Sequence, residues 1–208
     1  MAIVHPTSTI SPTKLEIVQT WLGDQEWFDG DPAELKAGRR FTYRFEDPAG
    51  EVGIESVLVR SADTVYQLPL TYRAAELEGG DPFFLTHMDH SVLGRRWIYF
   101  GLGDPVLVTQ FVSAIVSGGR SVALEFEHEG QVQSVETAVK AWGIGSGEPV
   151  RDVTIEDVDR GGRVTTVHTS LGTLSVPHVL DNTMPDSDRE LEGTWEGLDD
   201  DVVLATLR

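Results

Sequence analysis

Apolar and polar residues follow a helical period in only two stretches of this chain. In the clearer stretch, residues 105–116, apolar side chains recur every three or four positions: Leu107, Val108, Phe111, Val112, Ile115 and Val116. Asp104 is placed to cap this helix and Pro105 suits its first position, where no amide partner is lost. Gly118-Gly119 is expected to end it.

A shorter helix is expected closer to the N-terminus. Ser11-Pro12 offers a cap followed by a proline, and Gly23 is placed to end the helix. Between them one helical face is apolar, with Leu15, Val18 and Leu22.

The remaining chain shows the period-two alternation and the turn residues of β-strands. Before the second helix, strands are expected over residues 40–46, 52–59, 65–72, 83–88 and 95–100. After it, they are expected over residues 122–127, 132–141, 150–158, 163–169, 173–179 and 202–207, with Glu129-Gly130 as a hairpin turn. Pro69 donates no ladder hydrogen bond, which indicates an edge strand or a bulge.

These elements predict an α+β fold. Consecutive hairpins favour one continuous antiparallel sheet, packed on one or two helices and extended by further antiparallel strands. We expect a single domain over residues 1–208, with a core in residues 1–118 and a β-rich extension in residues 119–208. The strongly acidic residues 181–201 are expected to form a solvated or partly disordered segment.

Charge and composition limit the classes of function. Sixteen basic and thirty-four acidic residues give a formal net charge of −18, which disfavours binding to nucleic acids and to anionic membranes. No apolar run approaches the roughly 18 residues of a membrane span, and residues 1–14 lack the pattern of a signal peptide. The absence of cysteine excludes disulfides and thiolate metal sites. A cytoplasmic protein is therefore expected.

Three separated motifs carry a family resemblance. They are WLGDQEWF (residues 21–28), YQLPLTYR (residues 66–73) and HSVLGRRWIYFGLGDPV (residues 90–106). In this order they resemble the N-terminal cap domain of bacterial maltokinase-like proteins, over roughly residues 10–118. The resemblance implies a curved antiparallel sheet packed against a helix in a cystatin-like manner.

The same resemblance implies that the catalytic part of the family is missing. In maltokinase-like proteins a kinase-like body follows the cap, with a nucleotide-binding lobe, a catalytic loop and a magnesium-binding aspartate. None of these is found in the 208 residues, so no catalytic residue and no cofactor is assigned. We expect a stand-alone cap-like protein without the kinase activity of the family. An enzyme of another mechanism is the least favoured alternative, because no group of residues meets the requirements of a catalytic site.

Two short motifs offer candidate binding residues. His87, Asp89 and His90 include metal-ligating residue types, but a strand directs His90 away from the other two, so no metal is expected. Arg95 and Arg96, beside Trp97, offer an anion clamp. Alternation would place the two arginines on opposite faces, and pairing with nearby carboxylates is the simpler interpretation.

Tryptophans and glycines offer two further candidates. Trp27-Phe28, just past the first helix, and Trp195, in the acidic segment, are expected to be exposed and available to a sugar or a partner. Trp21 and Trp97 are expected in the core. The glycine-rich residues 143–147 are not followed by a helix that could bind phosphate, so a plain loop is expected.

Two functional hypotheses follow. The first is a non-catalytic protein that associates with a kinase or another enzyme of α-glucan, maltose or amino-sugar metabolism, with HSVLGRRW as the contact surface. An exposed apolar patch rimmed by polar residues would favour it. The alternative is a protein that binds a sugar or a cationic metabolite on the concave face of the sheet, which requires a pocket near Trp27 or Trp97.

Overall fold

The computed structural model describes residues 8–38, 40–128, 131–181, 183–184 and 187–208. Within them the chain forms two α-helices and two six-stranded antiparallel sheets, which confirms the α+β class and the curved antiparallel sheet. The helices are α1 (Lys14–Gly23) and α2 (Pro105–Ser117).

The first sheet is built from the residues that precede α2. Its strands are β1 (Ile10–Ser11), β2 (Thr42–Phe45), β3 (Gly53–Ser61), β4 (Thr64–Arg73), β5 (Phe84–His90) and β6 (Gly94–Phe100). Their order across the sheet is β1-β5-β6-β4-β3-β2. The predicted hairpins β2–β3 and β5–β6 are both present.

The residues after α2 form a hairpin and the second sheet. The hairpin consists of β7 (Leu124–His128) and β8 (Gln131–Val135), and its predicted turn at Glu129-Gly130 lies outside the described residues. The second sheet contains β9 (Val139–Gly143), β10 (Ile155–Asp159), β11 (Val164–Thr169), β12 (Gly172–Pro177), β13 (Glu190–Trp195) and β14 (Val202–Leu207). The order across it is β10-β11-β12-β14-β13-β9.

The expectation of one continuous sheet is wrong, because α2 lies between two sheets. The sheets are nevertheless joined at two places. Tyr66 of β4 forms a bridge with Val179, just after β12. On the other side, residues 120–122 pair with β9 through Trp142 and Ala141, and Val122 donates its N–H to Arg44 O of β2.

Helix α2 is buried almost all round because it packs on both sheets. The Phe111 ring lies 6.1 Å from that of Tyr43 and 5.7 Å from that of Phe45, both on one face of the first sheet. On its other side the helix contacts β9, β13 and β14. Helix α1 covers the opposite face of the first sheet, where Trp21 stacks on Phe100 at 5.7 Å. Because both faces are covered, every residue of β2 is buried.

Both ends of α2 agree with the prediction. Asp104 is the N-cap and accepts the N–H of Val106, and Gly118 ends the helix with φ 72°. Asp104 is completely buried, where Arg73 of β4 donates from Nε (2.6 Å) and Nη2 (2.7 Å) to its carboxylate. Residues at its own ends therefore define this helix, and the Arg73–Asp104 pair attaches it to the first sheet.

The N-terminus of α1 differs from the prediction. The cap is Thr13, whose Oγ1 accepts the N–H of Glu16 while the Glu16 carboxylate accepts the N–H of Thr13. This reciprocal pair satisfies two amides that the first turn leaves free. Ser11 instead belongs to β1, opposite Asp89.

Two other expectations about strands are wrong. Pro69 marks neither an edge strand nor a bulge, since β4 lies between β3 and β6 and its pairing with β3 has no register shift. It lies one residue before the segment that pairs with β6. In the acidic segment, β13 is an inner strand between β14 and β9. Its charges are accommodated because Glu192 accepts the indole N–H of Trp142 and Glu190 accepts the N–H of Ser187.

None of the helices formed by the described residues combines the length and the apolar character needed to cross a bilayer.

Candidate interaction surface

The β5–β6 hairpin presents apolar side chains to solvent at its tip. Val92 is 55% exposed and Leu93 is 43% exposed. The turn is held by His90, whose Nδ1 accepts the N–H groups of Val92 (3.2 Å) and Leu93 (3.1 Å). Gly94 follows with φ 72°, a conformation that glycine adopts without steric cost. The tip is therefore an ordered turn with two apolar side chains outside the core.

One face of this hairpin carries a row of polar and aromatic side chains. Asp89 and Arg95 are cross-strand partners and form an exposed ion pair at 3.4 Å. His87 and Trp97 are the next partners on this face, with ring centroids 5.1 Å apart. Phe84, which is 38% exposed, lies 5.0 Å from the His87 ring. These five residues form a row of one ion pair and three rings along the hairpin, with the ion pair next to the apolar tip and Phe84 at the opposite end.

The opposite face of the hairpin points toward the interior. Met88 is buried there, and its cross-strand partner Arg96 is half-buried. Arg95 and Arg96 are thus on different faces and do not form a clamp. His90 likewise points away from His87 and Asp89, and among the described residues no group of three histidine, aspartate or glutamate side chains is placed to hold a metal ion.

A shallow groove of about 260 Å³ lies where β1 meets the base of the hairpin tip. Its lining residues are Thr9, Ile10, Ser11, Asp89, His90, Ser91, Gly94 and Arg95. This volume is below the usual range of ligand pockets, roughly 300–1,000 Å³. The groove is therefore a poor candidate for a site that encloses a metabolite.

Trp27 and Phe28 are not placed with the hairpin residues. The Trp27 ring is half-buried and stacks on His178, with centroids 6.0 Å apart. The ring of Phe28, also half-buried, meets that of Tyr66 at 5.3 Å. The expected exposure of Trp195 is wrong, because it is only 8% exposed and packs on Phe41. Trp21 and Trp97, expected in the core, are half-buried.

The residues around His178 form a buried polar cluster that the sequence analysis did not identify. The His178 Nδ1–H donates to Gln67 O (3.2 Å), so Nε2 is free to accept from the hydroxyl of Thr165 (2.8 Å). The Gln67 side chain bonds to the Tyr43 hydroxyl and to the carbonyls of Pro177 and Leu204. Burial lowers the pKa of His178 to about 4, although the hydrogen bond to Gln67 O acts in the opposite direction. The ring is neutral and joins the two sheets.

A second buried polar group lies under α1. Glu55 of β3 is 1% exposed, and Lys14 Nζ reaches its two carboxylate oxygens at 2.8 and 2.6 Å. Burial alone would raise the pKa of Glu55, but the charges of Lys14 and Arg44 and the hydroxyl of Thr42 hold it at about 2. The pair attaches the start of α1 to the first sheet, and only a strand-pairing prediction that placed Glu55 inward would have identified it.

The glycine-rich residues 143–147 lie at the C-terminus of α2. Gly145 donates its N–H to Ile115 O (3.0 Å), and Gly147 donates to Val116 O (2.8 Å). A Cβ on Gly145 would lie 2.2 Å from Val116 O. The glycines therefore allow close approach to helix carbonyls, which is the opposite of the amide-rich helix end that binds phosphate.

Comparison with known proteins finds a family model that matches most of the first sheet. Residues 21–104, about two fifths of the chain, match the family model of the maltokinase N-terminal cap domain. The match begins in the last turn of α1, contains β2 to β6, and ends at the N-cap of α2. The comparison with curated proteins found no match. The resemblance expected from the three motifs is confirmed: the chain contains a region similar to the maltokinase N-terminal cap domain.

Proposed function

We propose that this protein acts without catalysis, as a cap-like protein that binds a partner protein through the tip of the β5–β6 hairpin. The observation that carries the proposal is the exposure of Val92 and Leu93 at the end of an ordered hairpin, bordered by Asp89 and Arg95. Apolar side chains surrounded by polar ones are typical of protein contact surfaces.

The resemblance suggests the kind of partner. The matched family is named for maltokinase, so a kinase or another enzyme of α-glucan, maltose or amino-sugar metabolism is the partner we propose, in the cytoplasm. We further propose that the whole chain acts as one domain, since residues from both sheets contribute to one hydrophobic core. The net charge of −18 supports a protein partner over a nucleic acid or an anionic membrane.

The alternative, binding of a sugar or a cationic metabolite on the sheet, has less support. Helix α1 covers one face of the first sheet and α2 covers the other. Trp27 packs on His178 rather than on the wall of a pocket.

The test compares partner capture by three forms of the tagged protein. The variant V92D/L93D places two charges on the tip, and Leu171→Asp places one charge on an equally exposed leucine in the β11–β12 turn of the second sheet. Each is incubated with native lysate, and co-eluting proteins are quantified by mass spectrometry against a salt-washed control.

We expect the wild type and Leu171→Asp to retain a kinase or glucan-metabolism enzyme at near-stoichiometric amounts. V92D/L93D should retain at least tenfold less, because burying unpaired carboxylates in an interface is strongly unfavourable. Equal capture by all three forms, or no such enzyme with the wild type, would refute the proposal.

A further inference from the structure

The outer strands of the two six-stranded sheets are protected from further pairing in different ways. A strand at the end of a sheet exposes unpaired backbone groups that can pair with another chain, so proteins cover or charge such edges. The outer edge of β2 is covered, since Arg44 O accepts the N–H of Val122. The outer edge of β9 is covered by the same connecting segment, through the bridge from Arg120 to Trp142.

The outer strand β10 is protected by charge instead. Its sequence, IEDVD, places Glu156, Asp157 and Asp159 on a strand that pairs only with β11. Three carboxylates on five residues repel a second acidic chain and discourage pairing between copies of a protein with net charge −18.

The remaining edge, that of β5, is neither covered nor charged over most of its length. Strand β1 pairs only with Asp89 and His90. Among the described residues, no backbone group of residues 84–88 bonds to a strand other than β6. This stretch, FLTHM, has no acidic and no lysine or arginine side chain, and Phe84 and His87 are exposed.

The backbone groups of His87 point toward this open edge. Ser91 donates its N–H to Thr9 O on the β1 side of the strand. Because outward groups alternate along an antiparallel strand, Asp89 and then His87 direct their amide groups to the same side. Ser11 lies opposite Asp89, and no strand of the described residues lies opposite His87.

We propose that the outer edge of β5, residues 84–88, binds an extended basic segment of a partner protein by strand addition. The added strand continues the line of β1 and pairs with the backbone of His87, and its alternate side chains lie beside Phe84 and His87. This rests on the proposed partner-binding function and specifies how the partner is held next to the hairpin tip.

The charge of the whole chain favours a basic occupant. Exposed aspartates lie at both ends of the open stretch, Asp81 before it and Asp89 after it. An arginine lies near each of them, since Arg95 pairs with Asp89 at 3.4 Å and Arg160 donates to Pro82 O at 2.8 Å, so the preference for a cation comes from the net charge. The net charge of −18 attracts a cationic segment and repels both an acidic one and a second copy of this chain.

The test uses defined peptides and does not depend on the natural partner. A fluorescent hexapeptide of alternating lysine and valine is titrated with the full chain, and a glutamate/valine peptide of the same design is the charge control. His87→Pro removes the outward N–H without removing a β6 ladder bond, whereas His87→Ala removes the imidazole and keeps the N–H. Amide exchange of the wild-type protein, with and without the basic peptide, reports on the same edge if His87→Pro does not fold.

We expect the basic peptide to bind at least tenfold more tightly than the acidic one, more weakly as salt rises, and to slow exchange of the His87 amide. His87→Pro should weaken binding at least tenfold and His87→Ala less than threefold. Equal binding of both peptides, or unchanged exchange at His87, overturns strand addition even if V92D/L93D still abolishes partner capture. A dimer of the protein alone that His87→Pro dissociates overturns it in favour of a second copy.

Discussion

At the scale of single residues, His178 and Glu55 are buried titratable groups in opposite protonation states. His178 is held neutral by burial, and Glu55 is held ionised by Lys14 and Arg44. Neither lies in an open cleft of the described structure. We therefore interpret both as structural groups that hold elements together, not as catalytic groups. Each makes the free energy of unfolding depend on pH in a different range.

We expect His178 to make the free energy of unfolding depend on pH between pH 6.5 and pH 4. Its pKa is lower in the folded state than the ordinary value of 6.5, so in this range the unfolded chain binds more protons. Stability therefore falls as pH falls through this range, by on the order of 3 kcal/mol. Urea unfolding at intervals of half a pH unit measures it.

His178→Gln should remove this part of the pH dependence, whatever its effect on stability at pH 7.5. His168→Gln removes an exposed imidazole of the second sheet and is the matched control. If both variants keep the slope of the wild type between pH 6.5 and pH 4, the buried neutral imidazole is not its cause.

The Glu55 contribution appears at lower pH. Its pKa in the folded state, about 2, is below the ordinary value of 4.5, so its stabilisation is present above pH 4.5 and is lost as pH falls toward 2. At pH 7 we expect Glu55→Gln to lower the free energy of unfolding by about 2–4 kcal/mol, because Lys14 and Arg44 lose their buried counter-charge.

The matched control for Glu55 is the exposed pair of the hairpin. Asp89→Asn breaks the ion pair with Arg95, in which the two side chains are 73% and 61% exposed. It should cost less than about 1 kcal/mol in the same urea experiment. Equal losses for the two variants would mean that burial of Glu55 does not set the strength of its pairing.

At the scale of elements, the caps of α2 could be predicted from the sequence, but the contacts that attach its ends to the rest of the fold could not. Asp104, Pro105 and Gly118 are local signals within one stretch, and all three have the predicted roles. The attachment of Arg73 and of Gly145 comes from residues about 30 positions away in either direction. A periodicity argument detects the helix and its caps, but it does not detect partners that the fold brings from other strands.

In the acidic segment, composition fails to predict a strand. Composition predicts a solvated loop for residues 181–201, and β13 is nevertheless an inner strand. Its alternation of Leu191, Gly193 and Trp195 inward is hidden by the surrounding carboxylates. Glu192 is half-buried, and Trp142 of the adjacent strand donates a hydrogen bond to its carboxylate. The hairpins of the first sheet, in contrast, were predictable because their turns and alternation are adjacent in sequence.

Gly145→Ala tests the contact between the glycine-rich loop and α2. The added Cβ would meet the backbone oxygen of Val116 at 2.2 Å, so the loop must move and the bond to Ile115 O is lost. We expect a decrease of about 2–4 kcal/mol in the free energy of unfolding, measured in urea.

Gly162→Ala is the control for this substitution. Nothing lies within 4 Å of a Cβ at that loop position. It should leave stability unchanged or raise it by less than about 1 kcal/mol, through the unfolded chain. A Gly145→Ala protein as stable as Gly162→Ala would show that the loop does not hold the helix end.

At the scale of the whole molecule, the region similar to the cap domain lacks the strands of the second sheet that pack on α2. Residues 1–118 include the first sheet and both helices, but not β9, β13 and β14, against which α2 packs. We therefore expect this fragment, expressed alone, to lack a cooperative thermal transition in near-ultraviolet circular dichroism. A sharp transition near that of the full chain would contradict the single-domain proposal.

The position of α2 also has a consequence for synthesis of the protein on the ribosome. The helix is mostly apolar and is buried on nearly every side in the fold. Its last residue, Ser117, precedes the first residue of β14, Val202, by 85 positions. At roughly 5–20 residues per second, translation takes roughly 4–17 s to cover that interval. During this time the nascent chain contains the complete helix, but the last strand of the second sheet that packs on it has not yet been synthesised. Chaperones that recognise exposed apolar segments should therefore engage it at that stage of translation.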